Sequence, residues 1–357
     1  MAGRPDLAQI DRPALESALD ARGVPRFRAR QIFRWIYKRG VTDIEQMTDL
    51  PRELRASLAA EFTLTTPALA HRDVSADGTQ KFLLRLADGA TIESVFIPDT
   101  PAMTFCISTQ VGCAMACAFC LTGRMGLVRN LTAGEIVGQV RVLAGLLNLR
   151  DSPFNLVLMG MGEPLHNYDE TMKALRMLCD EHGFGLSPRR ITLSTVGLLP
   201  GLERLAHEPI MPNLAISLHA PNDALRGELV PLNRKYGVGD IIDACRRFPL
   251  KRRHRITFEY VLLAGVNDSP ADATSLARLL SGVKSKVNLI PLNAAAGIPF
   301  ERPSDDAIDR FAQILADHGL TVSVRKSRGR DIRAACGQLI VEGQRKSPAQ
   351  RLAVFLG

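Results

Sequence analysis

Cys113, Cys117 and Cys120 fall in the run Val111-Gly-Cys-Ala-Met-Ala-Cys-Ala-Phe-Cys120, a C-x3-C-x2-C spacing inside one loop. The run supplies three thiolates and no fourth. A structural zinc site closes its shell with four ligands, commonly as two separated C-x2-C knuckles. A fully ligated iron–sulfur cubane also takes four cysteines. Three in one tight loop leave one iron of a [4Fe-4S] cluster open to a substrate or cofactor, the arrangement of a reactive centre. A zinc loop, buried free thiols or a chance cluster are weaker readings, because cysteine arithmetic alone rarely yields this triplet.

With the aromatic Phe119 directly before the third cysteine, the triplet resembles the signature of the radical S-adenosylmethionine (SAM) superfamily. The resemblance implies that the open iron chelates the amino and carboxylate groups of SAM and passes it one electron. SAM is then cleaved to a 5′-deoxyadenosyl radical.

The elements that must position such a loop are legible from residue 105 onward. Apolar strand-like runs at 105–108, 154–159, 190–194, 214–218, 255–261 and 286–290 alternate with helical patterns such as 133–147, 168–181 and 271–280. Repeated strand-then-helix units imply an α/β fold with a parallel sheet. Six units match the partial (β/α)6 TIM-like barrel of radical-SAM enzymes better than a closed eight-unit barrel. Periodicity alone does not separate that barrel from an open doubly wound sheet, but in both the ligands gather at the carboxyl ends of the strands. The cysteine loop follows the first strand. Ahead of it, 12–21 and 28–38 carry apolar residues at helical spacing, and Pro51 opens a third helix. Residues 80–86 and 91–97 read as a hairpin turned at Asp88-Gly89. The expected organisation is a helical accessory domain at 1–72, a short β-hairpin extension at 73–100, the barrel at 101–325 and a carboxyl-terminal segment at 326–357.

Further polar residues fall at the strand ends. Met159-Gly-Met-Gly162-Glu163-Pro follows the second strand, where glycine lets a ligand approach the backbone and Glu163 offers an acceptor to an ammonium group. The run resembles the superfamily's motif that holds the SAM amino group. Ser194, the run Ser217-Leu218-His219, and Asn293 lie at or just after later strand ends. Each alone suits a loop serine, a structural histidine or a turn asparagine. In order, at successive rims, they favour contacts to the sugar, carboxylate or adenine of SAM.

Four cysteines lie outside the triplet. Cys179 and Cys245 read as small buried apolar residues. Cys336 stands in Arg330-Asp-Ile-Arg-Ala-Ala-Cys-Gly-Gln338, where the arginines favour a lowered thiol pKa and a nucleophilic role. Cys106 lies on the first strand, shortly before the triplet.

From end to end the chain resembles the RlmN family of dual-specificity radical-SAM RNA methyltransferases. The resemblance runs through Phe27-Arg-Ala-Arg-Gln-Ile-Phe-Arg-Trp35, Glu93-Ser-Val-Phe-Ile-Pro98, Cys106-Ile-Ser-Thr-Gln-Val-Gly-Cys113, Arg129-Asn-Leu-Thr132, Gly160-Met-Gly-Glu-Pro164, Ser217-Leu-His-Ala-Pro-Asn222, and Val324-Arg-Lys-Ser-Arg-Gly-Arg-Asp331 leading to Ala335-Cys336-Gly337. It implies methylation of adenosine carbon 2 in the peptidyl-transferase centre of 23S rRNA and beside the anticodon of tRNA, with two SAM molecules and an electron donor such as flavodoxin. It further implies that Cys336 first takes a methyl from SAM, that the radical activates this methyl for addition to the ring, that Glu93 removes the ring proton, and that Cys106 resolves the protein–RNA crosslink by a disulfide with Cys336. The nearest alternative is the Cfr-type activity at carbon 8, which shares the cluster and both cysteines. The stretch 217–222 and the amino-terminal module favour carbon 2. Other radical-SAM enzymes have no need of Cys106 and Cys336, and a basic RNA-binding protein with a structural cluster would not cleave SAM.

Composition agrees. The chain has 357 residues, 46% of them hydrophobic, and a formal charge of +8. Such a balance points to a polyanionic partner. Positive charge is bunched at residues 26–39, at Lys251-Arg-Arg-His-Arg255 and at residues 325–333. A target base must leave its stack to reach a barrel mouth, and a basic surface assists by gripping phosphates. No apolar run long enough to span a membrane and no signal-peptide core is present, and seven cysteines with a metal-type triplet fit a reducing compartment. The expectation is a cytoplasmic protein without membrane contact. No feature argues for an oligomer, so a monomer is expected.

Overall fold

The computed structural model describes residues 4–98, 103–252 and 254–341. Of the carboxyl-terminal segment expected at 326–357, residues 342–357 lie outside the described residues.

Twelve strands are present among them: β1 (Ala68–Val74), β2 (Gln80–Arg85), β3 (Thr91–Ile97), β4 (Thr104–Cys106), β5 (Gln110–Gly112), β6 (Leu127–Asn130), β7 (Asn155–Leu158), β8 (Ile191–Thr195), β9 (Asn213–Ser217), β10 (Ile256–Leu262), β11 (Ser285–Pro291) and β12 (Val322–Val324). Ten of them form one sheet in the order β1-β2-β3-β4-β7-β8-β9-β10-β11-β12. Pairing is antiparallel from β1 to β4 and parallel from β4 to β12. The parallel part is the expected α/β partial barrel, with its six strands in place and the short β12 added beyond them. It stays open, because β1 and β12 end the sheet without pairing to each other.

The sequence explains this register. In β10, Ile-Thr-Phe-Glu-Tyr-Val-Leu, β-branched and aromatic residues are buried on both faces, as a strand covered by helices outside and side chains inside requires. Helices between strands start on strong caps. Thr132 and Glu135 form a reciprocal capping box at Ala133–Leu146, and Ser269 with Asp272 does the same at Pro270–Leu279, each cap being worth about 1 kcal/mol. Phe96, Phe105 and Phe154 stack in the core where β3 meets β4.

Helices Arg12–Asp20, Phe27–Phe33 and Arg52–Glu61 form the amino-terminal part. The stretch expected as one plain helix at 28–38 changes at Arg34–Arg39 to a π turn closed by Gly40, which sits at φ 69°. Arg141, only 3% exposed, ties this part to the barrel through the carbonyls of Val41 and Thr65. The expected hairpin, β2 with β3, is joined by a third antiparallel strand, β1. That strand is exposed along nearly its whole length and carries no alternating apolar pattern, so periodicity did not mark it.

Candidate functional site

The short antiparallel pair β5 and β6 brackets the cysteine loop and holds it over the carboxyl ends of the barrel strands. Gly112 (φ 77°) makes this possible, since a side chain there would strike the Gly126 carbonyl across the pair. The loop is fixed by Cys113 N–H on the Gly126 carbonyl (3.1 Å), Ala118 N–H on Leu229 (2.9 Å) and Leu121 N–H on Gly337 (2.8 Å). Thr122 Oγ1 also donates to Leu339 (2.6 Å), so the loop is stitched both to the barrel rim and to the segment bearing Cys336.

Cys113, Cys117 and Cys120 line one cavity together with Gly162, Glu163, Ser194, Ser217, His219, Asn293 and Cys336. Burial pushes all three thiols up. They do not converge on a single ion among the described residues. A cubane instead seats three cysteines on three separate irons and therefore asks for wider spacing. The donor set fits such a cluster: three soft thiols on one loop, without a fourth. Asn293, 5% exposed, donates to the Cys336 carbonyl (3.3 Å) while its Oδ1 has no partner, an open acceptor in the cavity wall.

Glu163, 3% exposed, accepts from Leu165 N–H (3.0 Å) and Val196 N–H (2.9 Å). Burial nevertheless pushes its carboxyl up to about 7. The glycines before it serve packing as well as access. A side chain on Gly160 would meet the Ile107 backbone at 2.7 Å, and one on Gly162 (φ 106°) would meet Gln110 at 2.6 Å. Ser194 and Ser217 face each other across β8 and β9, Oγ to Oγ 3.3 Å. His219, at φ 64°, accepts Val261 N–H on Nδ1 (3.1 Å), stacks edge-on with Phe119 and is held neutral by burial, its pKa pushed down to about 3. Its free ring edge is therefore Nε2–H. Leu218 is not brought into the cavity wall. It is fully buried in the core, and its backbone groups bond to Glu259 and Arg226.

A smaller cavity, lined by Cys106, Cys336 and Arg325, adjoins the first. Burial, then the neighbouring Cys336, pushes Cys106 up to about 12. Arg325, half-buried just past the end of β12, hydrogen-bonds Cys336 and feels Glu259 and Cys106. Both thiols are free. The sequence pointed to the arginines flanking Cys336; Arg325, from the end of β12, also reaches its sulfur. Its signal was a cation at the end of the last strand. Glu259 was missed, although a carboxylate in the apolar run of β10 was visible. A second missed residue, Arg226, is fully buried and donates to the carbonyls of Val196 (2.6 Å), Ser217 (3.2 Å) and Leu218 (2.9 Å) and to Asn233 (3.0 Å). It clamps the ends of β8 and β9 beneath the cavity, where each abandoned carbonyl would cost about 1–3 kcal/mol.

Glu93 lies on β3, two residues from the Val95–Cys106 pair. It does not line the cavity. Its carboxylate, 4% exposed, is held by Lys81 Nζ (3.1 Å) and by Ile340 N–H (2.8 Å), and burial raises its pKa against the pull of Lys81. The loop before Cys336 is pinned to the β1–β2 turn: Ser75 Oγ donates to Asp331 (2.6 Å), and Gly329 N–H donates to Asp77 (3.0 Å).

An open parallel barrel with a cysteine loop at its carboxyl rim defines a radical-SAM protein, and the radical SAM superfamily model matches residues 107–276. Its cofactors are a [4Fe-4S] cluster and SAM. The model of the ribosomal RNA large subunit methyltransferase N-terminal domain matches residues 5–64. A crystal structure of a radical SAM methyltransferase from Sphaerobacter thermophilus superposes with TM-score 0.89 at 51% identity, covering 94% of this chain and 99% of that one. Dual-specificity RNA methyltransferases RlmN of Geobacter sulfurreducens (51% identity, 94% of this chain, 91% of the relative) and Anaeromyxobacter dehalogenans (48%, 99% and 96%) are similar over nearly their whole length. The chain belongs to the RlmN family of radical-SAM RNA methyltransferases.

Proposed function

We propose that this enzyme methylates carbon 2 of adenosine in 23S rRNA and in tRNA beside the anticodon, with Cys336 as the methyl carrier. The observation that carries the reading is the placement of Cys336 in the walls of both cavities, facing the cysteine triplet on one side and Cys106 on the other. Cys113, Cys117 and Cys120 would hold the cluster, which when bound would supply the electron for cleavage of SAM to a 5′-deoxyadenosyl radical. Glu163 receives the SAM ammonium, and Ser194, Ser217, His219 and Asn293 offer hydrogen bonds to its remaining polar groups. Leu218 contributes through its backbone placement of the rim.

Cys336 takes a methyl from one SAM by displacement, its sulfur attacking the methyl carbon with the Arg325 guanidinium hydrogen-bonded beside it. The methyl on Cys336 then gives up a hydrogen atom to the SAM-derived 5′-deoxyadenosyl radical, its carbon adds to carbon 2 of the flipped adenine, and the adduct's unpaired electron leaves to an acceptor, for which the oxidised cluster would serve. Glu93 takes the ring proton. Its raised pKa suits a base, but Ile340 N–H occupies one of its oxygens, so the segment around 340 must shift before that oxygen can work. Cys106 releases the product by attacking the Cys336 sulfur: the disulfide forms as the sulfur–methylene bond breaks, and the released carbon takes a proton to become the methyl. Replacing Cys106 by alanine tests this assignment: a covalent protein–RNA adduct should accumulate, seen as a nuclease-sensitive slow band on a denaturing gel, whereas normal turnover would remove Cys106 from the mechanism.

A pH effect follows from Glu163. A buried carboxyl titrating near 7 is partly protonated below that pH, so the SAM ammonium must displace a proton. SAM affinity should fall as pH drops below about 7, and calorimetry at pH 6 in buffers of different ionisation enthalpy should register proton release. Zero release there would contradict the pairing. For folding the sign is opposite: a raised carboxyl pKa stabilises the native state below the unfolded value, and that contribution is lost as pH rises through the folded one.

Among the described residues no helix is long and apolar enough to cross a membrane. A cytoplasmic monomer drawing electrons from a flavodoxin fits the reading.

A further inference from the structure

The amino-terminal ends of β8 to β11, opposite the cysteine loop, open into a third cavity of about 800 Å3. Its walls carry Arg189 ahead of β8, Asn213 at the start of β9, Lys251, Arg252 and Arg255 ahead of β10, and Lys286 on β11. None of its nine lining residues is a hydrocarbon side chain or a carboxylate. Arg252, His254 and Arg255 also border an adjoining cavity that includes Lys284 and Thr321, which extends the basic surface sideways. Among the described residues no ion pair engages Arg189, Lys251, Arg252, Arg255, Lys284 or Lys286. Lys286 does act at a distance on the buried Glu259 higher in the barrel. Arg255 is braced by a bond to Thr321 Oγ1 (2.8 Å), and the turn before it is closed by His254 N–H on Lys251 (2.9 Å).

We propose that this floor binds the sugar–phosphate backbone of the RNA substrate, at a segment distinct from the one whose base enters the catalytic cavity. Like charges gathered without counter-charges repel one another, and a polyanion relieves that repulsion with release of its counterions. The wall chemistry selects RNA over an acidic protein. Protein interfaces have apolar, charge-depleted cores, whereas backbone phosphates are gripped by arginine, lysine, asparagine and threonine side chains, the types present here. The seven residues of β10 separate floor from rim by roughly 20 Å at about 3.3 Å per residue. One nucleotide cannot meet both ends, so the floor takes a neighbouring arm of a folded RNA and sets how the whole molecule lies across the barrel. The proposal rests on the RNA-methylating reading, and its test is read by binding.

The test is the triple charge reversal Arg189→Glu, Lys251→Glu, Arg252→Glu, all exposed positions, in the full-length holoenzyme, with purified 23S rRNA and bulk tRNA as probes. RNA affinity should fall about tenfold or more at moderate salt. The slope of log affinity against log salt should shrink by about two, as loss of two to three phosphate contacts requires. Reductive SAM cleavage without RNA should be unchanged. Wild-type affinity and slope in the folded variant would overturn the proposal, as would intact RNA binding with lost affinity for an acidic electron-donor protein. Formaldehyde crosslinking of the unaltered enzyme to the same RNAs gives a second reading. Adducts at Lys251 or Lys286 support the floor site, and adducts confined to the rim and the amino-terminal helices overturn it. Absence of methylated RNA from wild-type turnover would instead strike the methylation reading.

Discussion

Cys336→Ala is expected to abolish RNA methylation, a loss on the order of a thousandfold or more, while the variant still assembles its cluster and cleaves SAM when reduced. The expectation rests on a division of labour within one cavity. The cysteine triplet lies on the β5–β6 loop, and Cys336 lies on a separate segment that closes over it through the Leu121 and Thr122 hydrogen bonds. Removing the sulfur of residue 336 leaves both bonds intact, because they end on the backbone of Gly337 and Leu339. Methylated RNA at the wild-type rate would show that the methyl never resides on residue 336. Loss of SAM cleavage as well would show that Cys336 serves the cofactor site instead.

Cys117→Ala should act upstream. With two of the three thiols left, anaerobic reconstitution should yield protein without the visible absorption of a cluster, and both SAM cleavage and RNA methylation should disappear. Cys179→Ala is the matching control. Cys179 lies at the end of a helix, half-buried and outside both cavities, so its loss should leave iron content and activity near wild type. Equal iron in the Cys117 and Cys179 variants would remove the triplet from cluster binding.

What the sequence disclosed and what it concealed divide on physical grounds. The six barrel strands were legible because each carries a short run rich in apolar and β-branched residues between helical patterns, and the intervening helices because caps such as Thr132 and Ser269 announce them. The short strands β5 and β6 were not. At three and four residues they are too brief for any period, although they aim the cysteine loop. Ser194, Ser217, His219 and Asn293 converge because strand ends converge in a barrel. Leu218 could not join them, since alternation turns its side chain to the outer core. Gly160 and Gly162 read as room for a ligand, yet much of the room is taken by residues 107–110. Arg226 was concealed for another reason. A buried cation is recognisable only from the carbonyls or thiols around it, and those come from other strands.

The most direct test of the central claim follows the methyl group itself. Anaerobic turnover with SAM carrying a trideuterated methyl, followed by digestion of the RNA and mass and NMR analysis of the product nucleoside, counts the deuteriums and locates the carbon. Passage through a methyl on Cys336 that surrenders one hydrogen predicts two deuteriums in a methyl on adenine carbon 2. Three deuteriums would mean direct transfer from SAM, and a methyl on carbon 8 would mean the sister reaction; either would contradict the account.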